Sequence, residues 1–123
     1  MSEQLVISWF EIPATDINRA AAWYGKIFDY ELSPFDMQGQ IMAFFPMSEG
    51  TTGGALIQSS EHEPSMQGSL VYLNAGDRMD TLLERIAESE GEVLMPRTSI
   101  GEHGFIAMFK DTEGNRVALH SPA

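Results

Sequence analysis

The chain repeats itself. The segment "SEGTTGGALIQS" (48–59) is answered by "TEGNRVALHS" (112–121). Ser48-Glu49-Gly50 matches Thr112-Glu113-Gly114, and Ala55-Leu56 matches Ala118-Leu119. Upstream, "PATDINRAAAWYGKIF" and "NAGDRMDTLLERIAES" each place an Asp before a helical apolar pattern. Asp16 and Asp77 are 61 residues apart, and Glu49 and Glu113 are 64 apart. A repeat this long means one supersecondary unit used twice, with its core or cavity between the copies. Each copy of about 60 residues is marginal alone, so the two are expected to depend on each other or on a second chain.

The pattern inside each copy is β-α-β-β-β. Residues 5–12, "LVISWFEI", alternate as a strand does, with Leu5, Ile7, Trp9 and Glu11 on one face. Pro13 ends the run and Asp16 is the expected helix cap. Ile17, Ala20, Ala21, Tyr24, Ile27 and Phe28 then recur at helical spacing. Strands are expected near 30–35, 40–47 and 54–59. The polar, Pro-containing stretch 59–68, "SSEHEPSMQG", reads as a linker, which sets module boundaries near 5–59 and 68–121. In the second copy "SLVYLNA" is a strand. Asp77 is expected to cap a helix carrying Met79, Leu82, Leu83 and Ile86, and Gly91 to end it. Strands near 92–96, 104–110 and 115–121 complete the unit, with hairpin chemistry at Asp111-Thr112-Glu113-Gly114-Asn115. The fold class expected is α+β, with two βαβββ modules forming a partly open, mostly antiparallel, barrel-like sheet. The helices lie outside and a cleft lies inside.

Composition removes several function classes. The 18 acidic residues against 7 basic ones give a net charge of −11, which argues against nucleic acid, because phosphate binding needs clustered Lys and Arg. There is no Cys, so disulfides and thiolate metal sites are absent, which suits a cytoplasmic protein. No signal-peptide pattern opens the chain, and no apolar run approaches the ~18 residues a membrane helix needs. The signatures of P-loop, dinucleotide-binding, zinc-protease and nucleophile-elbow sites are missing, and "GTTGG" has no Lys or Arg beside it.

The segments "FEIPATDINRAAAWYGKIFDYEL", "GGAL", "VYLNAGDRMDTLLERIAESEGEVLMP" and "GEHGFIAMFKDTEGNRVALHS" resemble the vicinal-oxygen-chelate superfamily. That superfamily includes glyoxalase I, bleomycin-resistance proteins and extradiol dioxygenases. The resemblance spans nearly the whole chain and is closest to small glyoxalase-like bacterial proteins. It implies the paired βαβββ fold, commonly in a homodimer. It also implies four metal-ligand positions on the first and last strands of each module, usually His, Glu or Gln. Counted from the helix Asp and the acidic turn, these positions hold Trp9, Ala55, Leu70 and Ala118, none of which ligates a metal. No metal or other cofactor is therefore expected, and a small-molecule ligand is expected in the cleft.

Two residues inward on the same faces stand Glu11, Ile57, Tyr72 and His120. Glu11 and His120 are candidate catalytic or hydrogen-bonding partners, since a carboxylate holds an imidazole tautomer. Tyr72 is a candidate donor to a ligand. Trp9 is either a stacking platform or a filler of the space a metal takes in relatives. His103, in the Gly-flanked "IGEHGF" loop, is a candidate cover residue, and His62 in the linker reads as solvated. Met37, Met42, Met47, Met95 and Met108 offer either an adaptable pocket or plain core. Three readings follow: a metal-independent small-molecule binder; a metal-dependent lyase, isomerase or dioxygenase with displaced ligands; and a dimerising or partner-binding module with a filled cleft.

Overall fold

The computed structural model describes residues 6–123, so Leu5 of the first expected strand lies outside the described residues. The elements are β1 (Trp9–Pro13), α1 (Ile17–Phe28), β2 (Phe35–Met37), β3 (Gln40–Phe44), β4 (Gly53–Gln58), β5 (Tyr72–Asn74), α2 (Met79–Ala87), β6 (Glu92–Ser99), β7 (Phe105–Lys110) and β8 (Arg116–Ser121). A 3₁₀ turn at Gly101–His103 precedes β7. The chain divides into two compact units between Pro64 and Ser65. Each unit has the βαβββ order expected from the repeat, and each carries its own four-stranded sheet.

In the first unit the strand order is β1-β4-β3-β2. The β1–β4 pair is parallel and the other two pairs are antiparallel. Helix α1 forms where its cap and apolar spacing say it should. Asp16 Oδ1 accepts the Arg19 N–H at 3.1 Å, and Gln58 Oε1, from the end of β4, accepts the Ile17 N–H at 2.7 Å. Its buried side, including Ala20, Tyr24, Ile27 and Phe28, packs with Ile12, Ala43, Phe45 and Leu56 in the core. The Tyr24 and Phe45 rings meet edge to face at 5.6 Å. The strand expected over 30–35 begins only at Phe35. Asp29 closes α1 in the left-handed region (φ 60°), and Tyr30 then stacks on Phe28 at 5.3 Å instead of joining a ladder. Gly54 is required by a close approach, since a Cβ there would stand 2.2 Å from the Phe10 ring.

The second unit repeats this arrangement as β5-β8-β7-β6, again with only the first pair parallel. Met79, Leu82 and Ile86 of α2 are buried. The expected Asp77 cap is corrected by the structure. The Arg78 N–H donates to the Ala75 carbonyl and the Gly76 N–H to Asn74 Oδ1, both at 2.9 Å, so a turn occupies these residues. The helix starts two residues after Asp77, with Arg78 at the cap position and no side-chain cap bond. Nor does Gly91 end the helix. It stops at Ala87, where the Ser89 hydroxyl donates to the Ile86 carbonyl at 2.7 Å. The acidic turn does what its composition requires. Asp111 Oδ1 accepts the N–H groups of Glu113 and Asn115, each at 2.9 Å, and the Asn115 amide donates to Asp111 Oδ2 at 3.0 Å.

Strand pairing sets the repeat register residue by residue. Glu11 lies across from Ala55, and Tyr72 across from Ala118. Pro13 faces Ile57, and Asn74 faces His120. The same hydrogen bond follows in both copies: the Ala14 N–H donates to the Ile57 carbonyl and the Ala75 N–H to the His120 carbonyl, each at 2.8 Å. The first-strand residues beside the two alanines are thus Glu11 and Tyr72. Trp9 is across from Gly53, and Leu70 precedes β5.

Candidate functional site

Because side chains alternate along a strand, each sheet has one face under its helix and one face away from it. In the first unit the face away from α1 carries Trp9 and Glu11 on β1, Ala55 and Ile57 on β4, Met42 and Phe44 on β3, and Phe35 on β2. Met42, Ala55 and Ile57 form a buried apolar floor. Three aromatic residues run across one end. The Trp9 and Phe44 rings meet edge to face at 5.2 Å, and Phe35 meets Phe44 in the same way at 5.0 Å. Each of the three is 37% exposed. Met47 closes over Gly53, where a Cβ would stand 2.7 Å from the Met47 sulfur and 3.0 Å from the Trp9 ring.

A polar chain borders the aromatic residues. The Trp9 indole N–H donates to Glu11 Oε2, and His62 Nε2 stands 3.3 Å from Glu11 Oε1. On its other side His62 Nδ1 lies 2.7 Å from the Ser59 hydroxyl. Ser59 and His62 form a small antiparallel bridge just beyond β4, and β4 is the parallel neighbour of β1. That turn is what carries the imidazole over the Glu11 carboxylate. Glu11 and His120, the candidate pair, belong to different units; within its own unit the Glu11 carboxylate contacts the Trp9 indole and the His62 imidazole. His62 is the residue that sequence reasoning left in a solvated linker. Its one local signal was the Ser-x-x-His spacing at the end of a strand.

The Ser59–His62 turn also walls a cavity of about 480 Å³, together with Ala14, Thr15, Ile41, Gln58 and Glu63. The cavity lies at the carboxyl end of the β1–β4 parallel pair, beside the start of α1.

In the second unit Tyr72 is exposed beside Ala118. His120 Nε2 donates to the His103 carbonyl at 2.8 Å. The structure therefore brings His103 and His120 together through the backbone of the 3₁₀ turn, and the His103 side chain is exposed. Met95 and Met108 are cross-strand partners, half-buried, while Met37 and Met47 are exposed and Met42 is core.

A divalent metal needs several convergent nitrogen or oxygen donors. Of Glu11, Ala55, Tyr72 and Ala118, two end in a methyl group and one is a phenol. No group of three His, Asp or Glu side chains is placed to share a metal ion among the described residues. Glu11 alone among these four side chains is an ordinary ligand for a divalent metal.

The sequence model of the Glyoxalase/Bleomycin resistance protein/Dioxygenase superfamily matches residues 6–119. The chain belongs to this superfamily. A glyoxylase-like domain-containing protein from Didymella fabae is 33% identical over 119 residues, covering 92% of this chain and 91% of the relative. Among solved structures, a glyoxylase/bleomycin resistance protein/dioxygenase domain from Frankia sp. EAN1pec aligns with a TM-score of 0.75 at 15% identity, over 98% of this chain and 94% of that one. The fosfomycin resistance protein FosX of Listeria monocytogenes aligns at 0.66 and 18% identity, over 100% and 94%. A glyoxalase I variant from Zea mays aligns at 0.70 and 19% identity over 93% of this chain, which spans 46% of that longer one. At these identities the structures share the fold.

Proposed function

We propose that this glyoxalase-superfamily member binds a small apolar or planar molecule on the helix-free face of its first sheet, without a divalent metal. The observation that carries the reading is the pairing of Glu11 with Ala55 and of Tyr72 with Ala118. Two of these four positions hold alanine here, next to an exposed aromatic edge. Trp9 is the stacking surface, and the Glu11–His62 pair supplies polar recognition at its border. Relatives named for fosfomycin resistance and for glyoxalase I support small organic molecules as the ligand class. The test is native mass spectrometry of protein taken straight from cells. A co-purified organic mass that Trp9→Ala loses supports the reading. A stoichiometric zinc, nickel or iron ion held through Glu11 overturns it and favours a metal-dependent lyase, isomerase or dioxygenase.

The same reading has the protein acting as a homodimer in the cytoplasm. Phe35, Met37, Phe44 and Met47 are exposed apolar side chains of the first unit that a second copy would cover. Light scattering that gives a monomer mass overturns the dimer.

A further inference from the structure

With a neutral imidazole, one proton arrangement suits both contacts of His62, with Ser59 and with Glu11. A carboxylate only accepts, so His62 Nε2 carries the hydrogen that faces Glu11. His62 Nδ1 is then an acceptor, and the Ser59 hydroxyl donates to it across 2.7 Å. The Glu61 N–H donates back to Ser59 Oγ at 3.1 Å. The serine is thus pinned with its proton already directed at a base, and the base is oriented by a carboxylate. That is the order of groups nucleophilic hydroxyl chemistry requires. Glu11 is itself held by the Trp9 indole.

The cavity supplies the remaining parts. Its volume of about 480 Å³ is in the range of small-molecule pockets, and both Ser59 and His62 line it. Gln58 lines it too. The Gln58 carbonyl oxygen is committed to the Ile17 N–H, so its NH₂ points the other way and, among the described residues, meets no acceptor.

We propose that this cavity is an acyl-transfer site, with Ser59 as nucleophile, His62 as general base and Glu11 as the positioning residue, acting on an ester of a small carboxylic acid. Ser59 Oγ bonds to the ester carbonyl carbon while its proton passes to His62 Nδ1. The carbon–oxygen bond to the alcohol breaks, and His62 returns the proton to the departing oxygen. Water repeats the sequence on the acyl-serine, releasing the acid and restoring the hydroxyl. No oxidant, reductant or metal enters the balance. Glu63 in the cavity wall and the net charge of −11 select against anionic esters, so an uncharged or cationic one is the substrate class. The assignment goes beyond ligand capture at Trp9 and stands on a different observation, the Ser59–His62 contact.

The test uses the full chain and p-nitrophenyl acetate. The expected result is a burst of about one equivalent of p-nitrophenolate per chain, with one acetyl group located on Ser59 by peptide mass spectrometry. Ser59→Ala abolishes both, and Ser59→Cys, checked for native circular dichroism, keeps the acylation. His62→Asn slows acylation by ~10²-fold or more. Glu11→Gln lowers kcat while leaving KM in place, a split that a merely structural role does not give. Acetylation at any other residue, or undiminished hydrolysis by folded Ser59→Ala, overturns the proposal. If Trp9-dependent ligand binding is found in the same protein without a Ser59 adduct, the binding reading stands and this one fails.

Discussion

Replacing Gly104 by Ala tests whether the "IGEHGF" loop is built by the end of β8 or merely lies near it. Gly104 has φ 103° and ψ −132°, a backbone state that side chains other than hydrogen rarely adopt. A Cβ at this position would also sit 2.0 Å from the Ser121 carbonyl oxygen and under 3 Å from Pro122 backbone atoms. Ser121 is the β8 partner of Phe105, so a methyl group must push the first residues of β7 off β8. The backbone strain contributes about 1–3 kcal/mol and the forced separation another ~1–3 kcal/mol. Gly101 is the internal control. It too has positive φ, at 79°, but a Cβ there meets nothing within 4 Å, so only the strain applies. Urea unfolding followed by circular dichroism should show Gly104→Ala less stable than Gly101→Ala by at least ~1 kcal/mol. In a domain of this size that difference lowers the melting temperature by roughly 4 °C or more. Equal stability of the two variants would refute the contact with β8.

Other consequences are smaller but as direct. Asp16→Ala should cost about 1 kcal/mol of stability by removing the α1 cap, whereas Asp77→Ala should cost little, because Asp77 caps nothing; parallel denaturant curves compare them. Asp111→Ala strips acceptors from two backbone N–H groups and the buried Asn115 amide, and should cost about 2–4 kcal/mol by the same assay. Trp23→Ala empties a site only 5% exposed and should cost about 3–5 kcal/mol; a cost below 1 kcal/mol in thermal unfolding would contradict its place in the core.

The parts of this molecule that local chemistry decides are readable from the chain. Helix α1 follows from Asp16 and the spacing of Ile17, Ala20, Tyr24 and Ile27, and the Asp111–Asn115 turn from its composition. The echo of Ala55 in Ala118 located two equivalent sheet positions, beside Glu11 and Tyr72. What failed was decided by neighbours distant in sequence. Asp77 looks like Asp16, but a turn through Gly76 consumes the residues that would let it cap. Strand pairing sets Glu11 and Tyr72, rather than Trp9 and Leu70, beside the two alanines, a register that distance from a helix does not give. His62 was invisible as a partner of Glu11 for a related reason. It lies in an aperiodic polar segment 51 residues away, and only the adjacency of β1 and β4 brings it over the carboxylate.

The proposed function requires that the duplicated sheet positions form no metal centre. The direct measurement is elemental analysis of protein purified without chelator, then re-equilibrated with zinc, nickel, iron or manganese and desalted. Far less than one ion per chain is expected under every condition, unchanged by Glu11→Ala. One tightly held ion per chain, lost on Glu11→Ala or Tyr72→Phe, would contradict it.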